Sequence, residues 1–293
     1  MHTIFEGIWV PLITPYHGEI IDCAALARLA QYLANCGITG LVAGATTGEG
    51  TLLKVGELEL IFTTLRNAVP SMPIVLGLSH TATELAVAQA SIIATWRPEA
   101  LLVTTPMYVR PSQAGIQRHF EAIVEAADLP VLVYNIPYRT GTTIDIDTLQ
   151  TLARDIRVVG IKECGGSNDR LLRLVHETPL RVFSGDDNQN FVALCLGAHG
   201  TIAASAHIFP EWHVLMRTLI GEGRIAEARR IAVALQPLLQ ELFAEPNPAP
   251  VKALLAAEGW CTTSVRLPFI SASTDLNRRL QMRYQEIKKV LCA

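Results

Sequence analysis

Residues 158–163 read VVGIKE, an apolar run of valines, glycine and isoleucine that ends in Lys162 and Glu163. The chain has 24 Lys+Arg but only five lysines, at 54, 162, 252, 288 and 289, so a lysine closing a buried stretch stands apart from the surface charge. Such a side chain either runs its stem out to water or stays partly desolvated, and the second state suits a nucleophilic amine. Alone, a strand-end lysine more often snorkels or pairs with a neighbouring acid, here Glu163. Its company reverses those odds. Other apolar runs also break into polar residues: Thr46, Thr47 and Glu49, then Tyr108 and Arg110, then Tyr134, Asn135 and Arg139, then Asp186 and Asp187. A tyrosine hydroxyl beside an amine can pass protons, and an arginine offers a carboxylate a fork of donors that lysine cannot match. The commoner fate of a tyrosine is rim packing, while the alternatives for the threonines and Arg139 are strand termination and a surface ion pair.

Other chemistries find less support. Asp186 and Asp187 have no nearby histidine or further acid cluster, so they read as loop hydrogen-bonding groups and no metal is expected. The eight histidines form no H-x-H or H-E-x-x-H pattern, and GATTGEG (44–50) lacks both the Lys-Ser/Thr end of a phosphate loop and the third glycine of a dinucleotide turn. No cofactor is therefore expected. A formal charge of −3 without a basic block argues against nucleic acid or an acidic membrane as partner. The N-terminal MHTIFEGIWVPLITP has no basic leader, and no apolar stretch approaches the roughly 20 residues of a membrane span, so the cytosol is the default location. Six cysteines (23, 36, 164, 195, 261, 292) without C-x-x-C spacing read as reduced, small core residues.

To bring those side chains to one place the chain offers eight apolar runs, at 8–15, 40–49, 73–80, 100–108, 130–137, 158–163, 181–187 and 199–205. Each is continuous rather than alternating, as in a parallel sheet covered on both faces. Helical segments lie between them. Asp22 can cap a helix whose Leu26, Leu29, Ala30 and Leu33 form one face and which stops before Gly37, and 112–127 and 145–154 repeat the pattern. Eight β/α units predict a (β/α)8 TIM barrel, with a doubly wound open sheet as the alternative, and the reactive side chains then gather at the C-terminal ends of the strands. Beyond about residue 210 only helical patterns remain. The expected organisation is a barrel over 1–222 carrying the site and a C-terminal helical subdomain over 223–293, joined through the stiff EPNPAP (245–250).

In order and spacing, GATTGEG, TPMYVRPSQ, YNIPYRTG, GIKE, SGDD and EPNPAPVK resemble the dihydrodipicolinate synthase and N-acetylneuraminate lyase family of pyruvate-dependent class I aldolases over nearly the whole chain. The resemblance implies that Lys162 forms an imine with pyruvate, and that Tyr134, Thr46 and Tyr108 form a hydroxyl relay, Tyr108 reaching the site of a neighbouring subunit in at least a dimer and usually a tetramer. It further implies that Thr47 holds the pyruvate carboxylate, that Arg139 receives the carboxylate of the second substrate, and that Gly185 and Ile202 line the site through their backbones. The arginine of YNIPYRTG and the EPNPAPVK segment side with members that condense pyruvate with aspartate semialdehyde on the way to lysine.

Departures from the family pattern bear on the second substrate and on control. Met107 stands where a second tyrosine is frequent, Tyr138 where serine is frequent, and Gly165 where a threonine often follows the lysine. The alternatives are another aldolase or lyase of the family acting on a sugar acid or hydroxy-keto acid, and a non-catalytic pyruvate-binding protein. Arg139 separates the first of these from the leading reading, since a polyol wants hydroxyl partners. The complete relay argues against the second. Val55 and Leu58, where lysine-inhibited relatives often carry histidines, together with Met107, leave Glu84 as a lone ammonium partner and predict weak feedback by lysine.

Overall fold

The computed structural model describes residues 4–291, so Cys292 lies outside the described residues. Eight strands, β1 (Gly7–Pro11), β2 (Gly40–Ala43), β3 (Ile74–Leu78), β4 (Ala100–Thr104), β5 (Val131–Asn135), β6 (Val158–Glu163), β7 (Arg181–Ser184) and β8 (Gly200–Ile202), pair in parallel in chain order. Strand β8 pairs back onto β1, which closes the barrel and rules out the open sheet. Helices α1 (Cys23–Asn35), α2 (Val55–Ala68), α3 (Thr83–Trp96), α4 (Gln113–Ala127), α5 (Pro137–Thr140), α6 (Ile146–Leu152), α7 (Asn168–Glu177), α8 (Asn190–Cys195) and α9 (Pro210–Gly221) lie between and after the strands.

The local signals act as their chemistry requires. The Asp22 carboxylate accepts from the Ala25 N–H at 2.9 Å and starts α1, a contact worth about 1 kcal/mol. Leu26, Leu29, Ala30 and Leu33 are buried on one face, each leucine contributing roughly 1.5–3 kcal/mol of burial. Gly37, at φ +83°, takes the left-handed turn beyond the helix end that a side chain would resist.

Two apolar layers follow from strand alternation. Trp9, Val42, Val75, Leu102, Leu132, Phe183 and Ile202 fill the barrel interior, and Tyr134 joins that inner layer at its upper end. Leu101, Val103, Val131, Val133 and Ile161 face the helices. Strand β6 breaks strict alternation, because its register against β5 steps from Val131↔Val158 to Leu132↔Gly160 and leaves Val159 as an extra residue. Val159 therefore faces inward, Ile161 outward and Lys162 inward again. A Cβ on Gly160 would lie 2.6 Å from the Arg181 carbonyl oxygen and 2.8 Å from Leu132 Cδ2, so the bulge needs glycine there.

Beyond α9 come α10 (Ile225–Leu242), α11 (Ala249–Ala257) and α12 (Thr274–Leu291), which pack on one another, α10 also on α9. Helix α11 also reaches the barrel. Its Lys252, fully buried, forms an ion pair with Glu49 at 2.5 Å and donates to the Ser264 carbonyl at 2.8 Å. No described helix is long and apolar enough to cross a membrane. The described cysteines are free thiols, but only Cys164 is a core residue; Cys23, Cys36 and Cys261 are half-buried and Cys195 is exposed, because the first two and Cys195 sit on helix flanks rather than on the packed stripe.

Candidate active site

A cavity of about 610 Å³ opens at the C-terminal end of the barrel. Lys162 and Tyr134, neighbours in register on β6 and β5, meet in its floor. The Lys162 amine donates to the Tyr134 hydroxyl at 3.2 Å and lies 4.3 Å from the centre of its ring, and Lys162 is only 4% exposed. It makes no ion pair with Glu163, since adjacent strand residues face opposite ways. Burial raises the Tyr134 hydroxyl pKa well above its usual value, Cys164 adds to the rise, and a hydrogen bond with Thr46 opposes it. Tyr134 is therefore a protonated hydroxyl that accepts from Lys162, with Thr46 lining the same cavity. Cys164 is fully buried beside them, and burial pushes its thiol up to about 12.

Gly185 lets the lysine lie there. A Cβ on it would collide with Cys164 Sγ and stand 2.6 Å from Lys162 Cε. Thr46 and Thr47 lie on a short turn after β2 that starts beyond Gly44, at φ +66°, and ends at Glu49, which is itself left-handed at φ +56°. Thr14 donates to the Gly48 carbonyl at 2.7 Å, and Asn247 donates its side-chain amide to Thr47 Oγ1 at 2.9 Å. Arg139, on the four-residue α5, lines the cavity, has its guanidinium 5.9 Å from the Tyr138 ring centre, and makes no ion pair among the described residues. Its guanidinium thus faces the cavity with its charge uncommitted. Ile202 completes the wall.

Seven of the eight expected residues, Lys162, Tyr134, Thr46, Thr47, Arg139, Gly185 and Ile202, line this one cavity. Tyr108 does not. It is 92% exposed, at φ +73°, and takes no part in the cavity wall of its own chain. A second cavity of about 350 Å³, close to Tyr108's neighbour Met107, shares Thr46, Tyr138 and Arg139 with the first.

Several strand-end residues expected at the mouth have other tasks. Glu163 and Asn135 face outward, where Glu163 accepts from Asn135 at 2.8 Å and from Arg170 at 3.0 Å. Burial raises the Glu163 pKa, and Arg170 chiefly restrains the rise. Glu49 turns beneath the threonines to Lys252 and accepts from the Arg266 N–H at 2.8 Å. Asp187 accepts from the Ser205 N–H at 2.6 Å and Asp186 from the Gly165 N–H, the loop hydrogen bonding expected of them. Among the described residues no three His, Cys, Asp or Glu side chains converge as metal ligands. Sequence reasoning missed Arg170, Asn247 and Lys252. The signal for the last was available, a second lysine inside an apolar run, PVKALLAA.

Across almost the whole chain, residues 4–287 match the Dihydrodipicolinate synthetase family. The chain belongs to that family. A 4-hydroxy-tetrahydrodipicolinate synthase of Nostoc punctiforme is 33% identical over 291 residues, covering 98% of this chain and 99% of that one. The solved 4-hydroxy-tetrahydrodipicolinate synthase of Methylacidiphilum fumariolicum superposes with a TM-score of 0.94 at 34% identity, over 98% and 97% of the two chains. A dihydrodipicolinate synthase of Cyanidioschyzon merolae, solved with lysine bound, gives 0.94 at 30% identity over 97% and 99%. Members of the dihydrodipicolinate synthetase family under these names are enzymes, which makes this family member an enzyme by kinship.

Proposed function

We propose that the protein is a lyase, a Schiff-base class I aldolase that condenses pyruvate with L-aspartate semialdehyde to 4-hydroxy-tetrahydrodipicolinate in lysine and diaminopimelate biosynthesis. The observation that carries this reading is the buried Lys162 amine, 3.2 Å from the Tyr134 hydroxyl in the floor of a cavity that also holds Thr46, Thr47 and an unpaired Arg139. The amine attacks C2 of pyruvate and water leaves, giving a protonated imine. That cation withdraws electrons until C3 loses a proton, and the enamine attacks the aldehyde carbon of the semialdehyde. The amino group of the condensed product then attacks the imine carbon, displaces Lys162 and closes the ring. Tyr134, hydrogen-bonded to Lys162 and sharing the cavity wall with Thr46, takes and returns protons at these steps. Thr47, held by Asn247, receives the pyruvate carboxylate, and Arg139 forks onto the carboxylate of the second substrate.

Tyr108 belongs to the relay only if it enters the site of another copy. Its exposure in a single chain is consistent with that role, and the homo-oligomer, a tetramer of tight dimers, is part of this proposal. So are a cytoplasmic location and a division into a barrel over 1–222 and a helical subdomain over 223–293. Borohydride reduction with pyruvate tests the chemistry: it should load one pyruvate-derived adduct on Lys162 by peptide mass mapping. An adduct on Lys252, or none, overturns the mechanism.

A further inference from the structure

Away from the barrel mouth, a cavity of about 310 Å³ lies between α1, the start of α9, the end of α11 and α12. Aromatic rings build its walls in two sets. Tyr32 and Trp260 are tilted at 31° with centres 4.6 Å apart, and Phe209 and Tyr284 are stacked at 4.8 Å. Trp212 adds a fifth ring, and buried Ile208 and Leu255 add aliphatic surface. Two carboxylates, Glu211 and Glu258, border the same space. Glu258 accepts from the Tyr284 hydroxyl at 2.8 Å, and neither acid has an ion-pair partner within 4.0 Å among the described residues. Lys288, with its ammonium 5.7 Å from the Tyr284 ring centre, is the one cation on the lining among the described residues. The wall thus carries two negative charges against one positive. His207, also in the wall, spends both ring nitrogens internally, accepting from the Ile13 N–H at 3.1 Å and pairing with the Ala204 carbonyl at 2.8 Å.

Faces of aromatic rings attract cations, and the attraction strengthens as the cation loses water. Apolar walls with a few placed polar groups are the usual make-up of a small-molecule site. The carboxylates are exposed, so they orient a ligand and select its charge more than they tighten it. We propose that this cavity is a second ligand site, taking a small organic monocation whose aromatic or alkyl body lies among the rings of Tyr32, Trp260, Phe209 and Tyr284 with its ammonium group towards Glu211 and Glu258. It is separate from the aldolase chemistry and stands or falls without it.

Two of the four tryptophans, Trp212 and Trp260, lie in the wall, so intrinsic fluorescence reports occupancy directly. Benzylammonium titrated into the full chain should change the emission saturably with a Kd of about 1 mM or tighter, the strength open to a fragment of this size. Benzyl alcohol, neutral and of the same shape, should bind roughly tenfold more weakly if ring faces and carboxylates select the charge. The double variant Glu211→Gln, Glu258→Gln alters only exposed side chains and should weaken benzylammonium roughly fivefold while leaving pyruvate trapping unchanged. Trp260→Phe should shrink the fluorescence change without abolishing binding measured by calorimetry. The proposal is overturned by a linear, non-saturating response, by equal affinity for benzyl alcohol, or by undiminished binding in the double glutamine variant.

Discussion

Lys252→Met should destabilise the protein sharply, and the size of the effect follows from where the charge sits. Lys252 and Glu49 both have fully buried side chains, and methionine matches the length of the lysine stem while removing its ammonium. What remains is a buried Glu49 carboxylate with the Arg266 N–H at 2.8 Å as its remaining donor. Leaving one member of such a pair uncompensated costs about 3–5 kcal/mol. Unfolding entropy of roughly 2.1 cal/mol/K per residue, over 293 residues, is about 0.6 kcal/mol/K, so the melting temperature should fall by about 5–8 °C. Burial pulls the Lys252 pKa down against the pull of Glu49, so desolvation outweighs the attraction and the pair itself is no great source of stability. Removing both charges, as Lys252→Met with Glu49→Gln, should therefore return most of the loss. Differential scanning fluorimetry of the single and double variants decides the matter. A single-variant shift under about 1 °C, or a double variant no better than the single, would refute the reasoning on uncompensated buried charge.

Arg139→Ala should lower kcat/KM for aspartate semialdehyde roughly 10- to 150-fold, the range of a charge-assisted hydrogen bond, while borohydride trapping of pyruvate survives; unchanged semialdehyde kinetics remove Arg139 from the site. L-lysine should inhibit weakly or not at all in a coupled assay, because Leu58 is a core residue packed under Gly44 and Glu84 is left as the ammonium partner; inhibition below about 1 mM refutes this. His119, His207 and His213 have pKa values lowered to about 4, by burial above all, so all three stay neutral in the fold at pH 5 while their unfolded forms, near 6.5, bind protons. Their contribution is fully present above about pH 6.5 and declines as the pH falls towards 4, with an uptake of about 0.9 proton per histidine on unfolding at pH 5. NMR titration of the folded protein should show three imidazoles still neutral at pH 5, and mid-points near 6.5 for all eight would sink the argument.

Much of this molecule is written in local patterns. Continuous apolar runs with glycine and proline at their ends mark all eight strands, and Asp22 and Gly37 mark both ends of α1, since these signals act within a few residues. Lys162, Tyr134 and Arg139 were legible because each interrupts such a pattern. The direction of side chains at strand ends was not. Asn135 and Glu163 follow the same runs as Tyr134 and Lys162 yet turn into the helix layer, because alternation sends neighbours to opposite faces and the starting face depends on the register with other strands, while Glu49 is turned towards Lys252 by the left-handed end of the turn after β2. Asn247 and Lys252 act on residues some 200 positions earlier, at 47 and 49, a relation only the folded chain displays.

The extra residue in β6 means that the lysine's orientation is a matter of counting rather than of side-chain chemistry. With Val159 bulged, positions 158 and 161 both contact the helices and 162 alone, near the strand's end, opens into the cavity. A lysine transplanted to 161 would be driven into hydrocarbon, one at 163 would displace the acceptor of Arg170, and one at 160 would strike the Arg181 carbonyl. Deleting Val159 would remove the bulge and its extra residue together, restoring strict alternation with Lys162 still opposite Tyr134, whereas flattening the bulge with Val159 kept in the ladder would turn the amine out of the cavity. A graft of this amine onto another barrel must therefore carry either the bulge or a strand one residue shorter, and a lineage that ironed out the bulge without losing a residue would lose the nucleophile while its KE dipeptide stayed intact.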